Sequence, residues 1–362
     1  MIAYYLPQYH PIPENDAWWG RDFTEWTHVR AARAWFSDHR QPRVPGQLGY
    51  YDLREPRTRS AQAALAREHG IEGFAYWHYW FGAGRRILER PFQEVLASRS
   101  PDFPFCLAWA NRSWSGVWHG APDRVLVEQR YPGPGDDAAH FESVLPAFRD
   151  PRYIRVEGRP VFLVGAPGEL PDAAAFAVAW RSLASRAGLP GLYLVGAESP
   201  GWSPQPAGFD AAVVDNPATA ISLLRWPRDA VLHRLGKLTG IDVVALLERR
   251  RRRPRVFPYV AAARCALPPL NGGPPRLPCV VPDWDNTPRA GRLGVVWHGS
   301  TPERFGAHLG AALSQVAPRP AEHRLVFLKS WNEWAEGNYL EPDSRFGTAY
   351  LETVAAQLAP GD

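Results

Sequence analysis

The sequence predicts a single (β/α)₈ TIM barrel. Eight short apolar segments alternate with amphipathic helical stretches along the 362 residues, the pattern of a parallel sheet wrapped by helices. Three of the connections leaving strands are long and rich in Trp, Pro, Gly and Asn, while connections returning from helices are short. No G-x-G-x-x-G opens a helix after any strand, which removes the dinucleotide-binding alternative. Eight strand–helix units favour closure over an open sheet, and the length suits one barrel with long loops. Residues 1–362 are therefore read as one catalytic domain.

The elements follow in order. Ile2–Leu6 reads as strand 1. Arg57–His69 is helical, with Ala61, Ala64 and Leu65 on one face and Gly70 as its stop. Gly73–Tyr79 is strand 2, followed by a helix over Ile87–Ala97. Phe103–Ala110 is strand 3 and Asp136–Phe148 a helix. Pro160–Val164 is strand 4, and Pro171–Ala187 is a helix with proline in its first turn. Leu192–Ala197 and Phe209–Val214 are strands 5 and 6, and a helical region covers much of Ala218–Arg252. Val256–Val260 is strand 7, Thr301–Val316 a helix, Leu325–Lys329 strand 8, and Tyr350–Leu358 a closing helix. The long loops follow strands 1, 3 and 7: His10–Pro56, Asn111–Gly135 and Ala261–Ser300. In such a barrel these loops form the face where chemistry sits.

Composition narrows the function. The net charge is +4 and the basic residues are dispersed, apart from Arg249–Arg253. That run follows the apolar pattern IDVVALLERR and reads as the solvated last turn of a helix, with an anionic lipid or polysaccharide contact as the alternative. No wider basic stripe exists, so nucleic acid is not an expected partner. Cys106, Cys265 and Cys279 form no C-x-x-C and are too few for a disulfide framework. No run reaches membrane-spanning length, and MIAYYLPQYH has no basic region leading into an apolar stretch. A cytoplasmic protein without an integral membrane segment is expected. Sixteen tryptophans are more than a core of this size needs. Many stand beside polar residues, among them Trp18, Trp19, Trp26, Trp77, Trp80, Trp109, Trp114, Trp118, Trp284, Trp331 and Trp334. Any one of them suits simple packing. The set, gathered on the expected active-site rim, suits a cleft in which indoles stack on sugar rings, so the expected partner is an oligosaccharide or polysaccharide.

The chemistry concentrates in Lys329-Ser330-Trp331-Asn332-Glu333-Trp334-Ala335-Glu336-Gly337, directly after strand 8. Glycosidic cleavage needs two carboxyl groups, one to protonate the leaving oxygen and one as base or nucleophile. Glu333 and Glu336 supply such a pair among indoles, and apolar surroundings raise the pKa of one partner. The bland alternative is that either glutamate holds an arginine or caps a turn.

These residues resemble the E-W-x-E signature of glycoside hydrolase family 99, the endo-α-mannosidases and endo-α-mannanases. The whole chain resembles still more the WbsX-type family 99-like proteins, which are often labelled glycosyltransferases and occur with bacterial polysaccharide and O-antigen genes. YYLPQYHPIPENDAWWGRDFTEWTHV, QPRVPGQLGYYDLR, GFAYWHYWF, FPFCLAWANRSW, PDWDNTPR and KSWNEWAEGNYLEPD carry the likeness across nearly the entire chain. The resemblance implies a retaining mechanism assisted by the substrate, with no metal and no cofactor. Glu333 would take the proton of the sugar 2-hydroxyl, giving a 1,2-anhydro intermediate, and Glu336 would act as general acid and then base. One position departs from the family: Ala335 stands where family 99 has His, which bears on mannose specificity more than on the reaction.

Other positions are candidate sugar contacts. His78 and Tyr79 end strand 2 and Trp109 and Asn111 end strand 3, where barrel geometry points them at the mouth, with packing as the alternative. Trp284, Asp285 and Asn286 lie in PDWDNTPR, and Asp285 either binds a hydroxyl or pairs with Arg289. Trp19, Glu25 and Trp26 lie in the first long loop, and Trp331, Asn332 and Trp334 flank the glutamates. Gln8-Tyr9-His10 lacks the His-x-His of a metal-dependent amidohydrolase, and no G-x-S-x-G elbow exists. A retaining, endo-acting glycoside hydrolase is the leading expectation. Transfer in O-antigen or capsule synthesis is the second, although there is no glycine-rich phosphate loop and no DxD-like metal pair in the right setting for a nucleotide donor. A carbohydrate-binding protein without catalysis is the third.

Overall fold

The computed structural model describes residues 1–116, 121–198, 202–214, 217, 224, 252–267 and 275–359. Eight parallel strands close on one another: β1 (Ile2–Tyr5), β2 (Gly73–His78), β3 (Phe105–Trp109), β4 (Arg159–Val164), β5 (Tyr193–Ala197), β6 (Ala211–Val214), β7 (Arg276–Val280) and β8 (Phe327–Leu328). Each pairs with its neighbours in chain order, β8 returns to β1, and the protein is a (β/α)₈ barrel. The strands are buried almost throughout, as expected of a parallel sheet covered on both faces.

Register assigns the two faces. Tyr4 pairs with Ala75, Ala75 with Cys106, and Trp77 with Ala108, so these side chains share one face. Tyr76 pairs with Leu107 and Leu107 with Phe162 on the other. Phe162 stacks on Trp180 of the helix Ala173–Arg186 at 4.7 Å, so this second face meets the helices. The first is the barrel interior, where Tyr4 stacks on Trp77 at 4.9 Å.

The seventh strand is a correction. Val256–Val260 was the expected strand, but Arg255–Pro258 pairs with Val295–His298 in a separate two-stranded sheet, and a helix begins at Tyr259. Its residues alternate between half-buried and exposed, which suits an outlying ribbon. The barrel strand is RLPCV, disguised by the glycines and prolines before it and by Pro278, which lacks a ladder donor. The loop expected at Ala261–Ser300 therefore contains β7, and the connection after β7 begins at Val281. Most of the helical region expected at Ala218–Arg252, with Arg249–Arg251, lies outside the described residues, as does Trp118.

The helix expected at Arg57–His69 spans Pro56–Glu68, after two short helices at Pro13–Trp19 and Glu25–Ala31, and buries Arg59, Gln62, Ala63, Leu65 and Ala66, while Ala61 and Ala64 are exposed. The expected face is turned because Gln62 is drawn inward: it accepts a bond from Tyr5 (2.6 Å) and donates one to Glu341 (2.6 Å).

Truncating Trp180, fully buried against Phe162 and Phe176, should cost about 3–5 kcal/mol of stability. Urea denaturation of Trp180→Ala measures this, and a loss below about 1 kcal/mol would contradict the packing described.

Candidate active site

The segment after β8 is held by hydrogen bonds to the start of the chain. The Trp331 amide donates to the Tyr4 carbonyl at 2.7 Å. Asn332 uses its side chain as a backbone mimic, accepting from the Leu6 amide at 2.7 Å and donating to the Leu6 carbonyl at 3.0 Å. The Tyr9 hydroxyl donates to the Asn332 carbonyl and accepts from the Trp334 amide. Asn332–Glu333 then pairs antiparallel with Asn338–Tyr339 across a 3₁₀ turn over Trp334–Glu336. Gly337 closes that turn at φ +63°, and a Cβ there would lie 2.9 Å from both the Arg43 guanidinium and Asp285, so no side chain fits.

This clamp turns Glu333 and Glu336 toward one cation. Arg289 Nη1 lies 2.8 Å from Glu336 and 3.4 Å from Glu333, and Arg289 Nε donates to Glu25 at 3.0 Å. All three carboxylates are buried. Two carboxylate oxygens this near one nitrogen are at most about 6 Å apart. Burial, reinforced by the Glu333 charge and only partly offset by Arg289 and Lys329, pushes the Glu336 carboxyl up to about 7. Burial opposes the charge of Arg289, but Glu25, Glu336 and Glu333 outweigh it and hold the guanidinium protonated. The arrangement offers a proton donor beside a carboxylate near neutral pH.

Around this centre, burial and then the Glu333 charge raise the Tyr79 hydroxyl. Lys329 Nζ lies 5.4 Å above the Tyr4 ring and 5.8 Å above Trp77, at the interior mouth. Trp334 stacks on Tyr339 at 3.7 Å and donates to Glu341 at 2.6 Å. Glu341 also accepts from Gln62 and Tyr51, and burial lifts its carboxyl to about 7.

The other expected contacts divide. Glu25 joins the glutamates through Arg289, and Asn332 and Trp334 position them. Trp26 is buried beside Trp334 and donates to the Tyr51 carbonyl. Trp331 is buried against Phe74. Trp19 is half-buried near Phe23. By register His78 and Trp109 fall on the helix face, not at the interior mouth. His78 meets His140 at 2.7 Å, with burial holding it down to about 3, and Trp109 donates to the Trp80 carbonyl. Asn111 is consumed by Ala166 and Tyr131. Asp285 does not pair with Arg289 and is held by other partners. It accepts from Gln41 and Thr287, and its Oδ2 lies 2.8 Å from His39 Nε2. Asn286 accepts from the Val295 amide, and Trp284 is buried beneath the same loop. Sequence reading did not single out Arg289, Glu341 or Lys329 for the site. Arg289 was visible four residues after Asp285, but its partner was open. Among the described residues no His/Cys/Asp/Glu group is arranged to hold a metal, and no helix is long and apolar enough to cross a membrane.

The fold and the glutamates after β8 define a (β/α)₈ barrel with a paired-carboxylate site. The profile of the family described as Glycosyltransferase WbsX matches residues 1–354, and the chain belongs to that family. Two relatives described as uncharacterized protein WxcX, from two strains of Xanthomonas campestris pv. campestris, are each 38% identical over 362 residues. The alignments take in 99% of this chain and 49% of each relative, so the chain spans about half their length. Among solved structures, a glycoside hydrolase-like protein aligns at a TM-score of 0.58 and 12% identity, covering 99% of this chain and 94% of its own. The GH99 endo-α-mannosidase of Bacteroides thetaiotaomicron in complex with bis-tris-propane aligns at 0.55 and 15% identity, covering 99% and 95%. These likenesses establish the shared fold.

Arg289→Met should destabilise the protein by about 3–5 kcal/mol at neutral pH, because buried carboxylates lose their cation. The uncompensated carboxyls take raised pKa values, so the deficit should shrink toward pH 5 and widen toward pH 8, read by urea denaturation at each pH. Glu341→Ala strips the acceptor from Trp334, Gln62 and Tyr51 and should cost about 2–4 kcal/mol by the same measurement.

Proposed function

We propose that this chain is a retaining glycoside hydrolase acting within a bacterial polysaccharide or related glycan, with Glu336 as general acid and Glu333 as the base on the sugar 2-hydroxyl. The observation that carries the reading is the pair itself: two buried carboxyls on one guanidinium, with Glu336 pushed up to about 7. Retention in this reading follows from two successive displacements at the anomeric carbon, the first by the sugar's own 2-oxygen and the second by water.

In the first step Glu333 takes the 2-hydroxyl proton, the 2-oxygen attacks the anomeric carbon, and Glu336 protonates the departing oxygen as its bond breaks. In the second, Glu336 takes a proton from water, the water oxygen attacks the anomeric carbon, and Glu333-H returns its proton to the 2-oxygen as the three-membered ring opens. Both carboxyls end as they began. The scheme requires a free 2-hydroxyl and excludes a 2-acetamido sugar at the cleaved position. Arg289 would stabilise whichever glutamate is ionised at each stage. The similar solved structure is titled an endo-α-mannosidase, and mannose is one candidate sugar. Ala335, wholly buried in this chain, replaces the family 99 histidine and argues for a different contact on that side of the ring.

The family description favours a second reading, glycosyl transfer. A sugar acceptor in place of water in the second step would use the same two glutamates. A strict requirement for a nucleotide-sugar donor would replace hydrolysis by this reading.

Glu333→Gln and Glu336→Gln should each lower turnover of a cleaved glycan by on the order of 10²–10⁴ while leaving glycan binding within a few-fold. Normal hydrolysis by both variants would refute the assignment. Since Glu336 must start protonated and its pKa in the ligand-free protein is raised to about 7, kcat/KM should fall as pH rises through that value. A pH–rate profile that is flat up to pH 9 contradicts the acid role. NMR of early product should show retained anomeric configuration.

A further inference from the structure

We infer that a second site, for an anionic group on the glycan, lies in the cavity between the loops after β1, β7 and β8. The cavity measures about 480 Å³, within the ~300–1,000 Å³ typical of small-molecule sites. Neither Glu333 nor Glu336 lines it. The wall between them includes Asp285, Tyr339 and Glu341.

Charge identifies the occupant. Four of the carboxylates facing the cavity are already satisfied by its wall. Asp283 pairs with Arg43 at 2.9 Å, and Asp285 is held by His39, Gln41 and Thr287. Asp343 accepts from the Tyr339 hydroxyl and from the amides of Arg345 and Phe346. Glu341 is held by Trp334, Gln62 and Tyr51. The cations are not matched in this way. Arg40, Arg304 and Arg345 also line the cavity, and among the described residues none of them has a carboxylate within salt-bridge distance. Arg304 donates only to the Gly299 carbonyl in the hydrogen bonds it makes by its side chain. Arg345 lies 4.2 Å over the Phe346 ring, and burial and then the Arg40 charge lower its pKa more than Tyr350, Asp343 and Asp283 raise it. Against these three guanidinium groups stands Asp38, exposed and in contact with Ser37.

A cavity with unspent guanidinium charge favours a carboxylate or phosphate, which arginine binds through its planar fork. The half-buried rings of Phe346 and Tyr350 give a sugar ring an apolar surface beside that charge. Position agrees, since the connections after the seventh and eighth strands of such barrels often build an anion site. The shared chemistry is an anionic substituent, either a uronate or phosphate carried by the polysaccharide or a free diphosphate. We assign it to the polysaccharide, because the site opens beside a glycan-cleaving centre. That assignment alone rests on the proposed function; the anion site does not.

The test is calorimetric titration of the full chain and of Arg40→Ala/Arg345→Ala with three probes: a glucuronate-containing disaccharide, its neutral glucose counterpart, and inorganic pyrophosphate. Both replaced residues are exposed, so the variant should fold, as circular dichroism would verify. The charged disaccharide should bind the unaltered protein more tightly than the neutral one by on the order of tenfold, the size of one charge-assisted hydrogen bond. The double variant should lose that preference. Anion binding unchanged in the variant, or no preference for any anion in the unaltered protein, overturns the site. Pyrophosphate binding without a preference for the glucuronate sugar overturns the assignment to the polysaccharide. Glu336→Gln should keep the anion preference, so a failure of catalysis and a failure of this inference are read separately.

Discussion

Arg289 carries a charge into a place that burial alone would forbid, and three carboxylates are what keep it there. One guanidinium cannot neutralise three ionised carboxylates in a dry site. Protonation of Glu336 relieves part of that shortfall. Burial is the larger cause of its raised pKa and the facing Glu333 charge the second, with Arg289 and Lys329 offsetting them only in part. Glu25, from the first long loop, shares Arg289 with the two glutamates after β8.

The cluster works only if its members are held still, and the holding is done by atoms far apart in sequence. Asn332 reaches Leu6, Tyr9 reaches both Asn332 and Trp334, and Gln62 on the helix Pro56–Glu68 reaches Glu341. Glu341 in turn fixes the indole of Trp334, which stacks on Tyr339. A second buried carboxyl near neutrality therefore stands behind the catalytic turn, serving position and not proton transfer. Asp285 does the same on the opposite side, tying the loop after β7 to His39 and Gln41. Asn332, Tyr9, Gln62, Glu341 and Asp285 are buried, and each is hydrogen-bonded, as buried polar networks must be to stabilise anything.

The barrel was legible because its strands are apolar, short and separated by helical periodicity, and seven of the eight lie where the pattern puts them. The seventh was hidden because RLPCV carries a proline and follows a glycine- and proline-rich stretch, while RVFPYV nearby has the better strand composition. The glutamate pair was legible from residue type and its place after the last strand. Its partners were not, because which residue meets Arg289 depends on how three separate loops fold together. Residues at strand ends were misjudged for a simpler reason. His78 and Trp109 sit at the right height, but strand alternation sends them outward to the helices, and Trp77 is the neighbour that turns inward.

That alternation also changes what the tryptophans mean. Trp26, Trp109, Trp284, Trp331 and Trp334 are buried, and three of them spend their Nε1 on protein acceptors. Buried in this way, they serve packing more than they offer a stacking platform. Among the described residues the indoles left half-buried are Trp18, Trp19, Trp35, Trp77, Trp114 and Trp202. Trp77 lies under Lys329 at the barrel mouth, and Trp18 packs 6.1 Å from Trp114 across the first and third loops. Trp18, Trp19 and Trp114 stand on the loops after β1 and β3, whereas the glutamates follow β8 and Arg289 lies on the loop after β7. Two such groups of loops can diverge independently, so a sugar preference different from that of an endo-α-mannosidase is compatible with the same pair of glutamates.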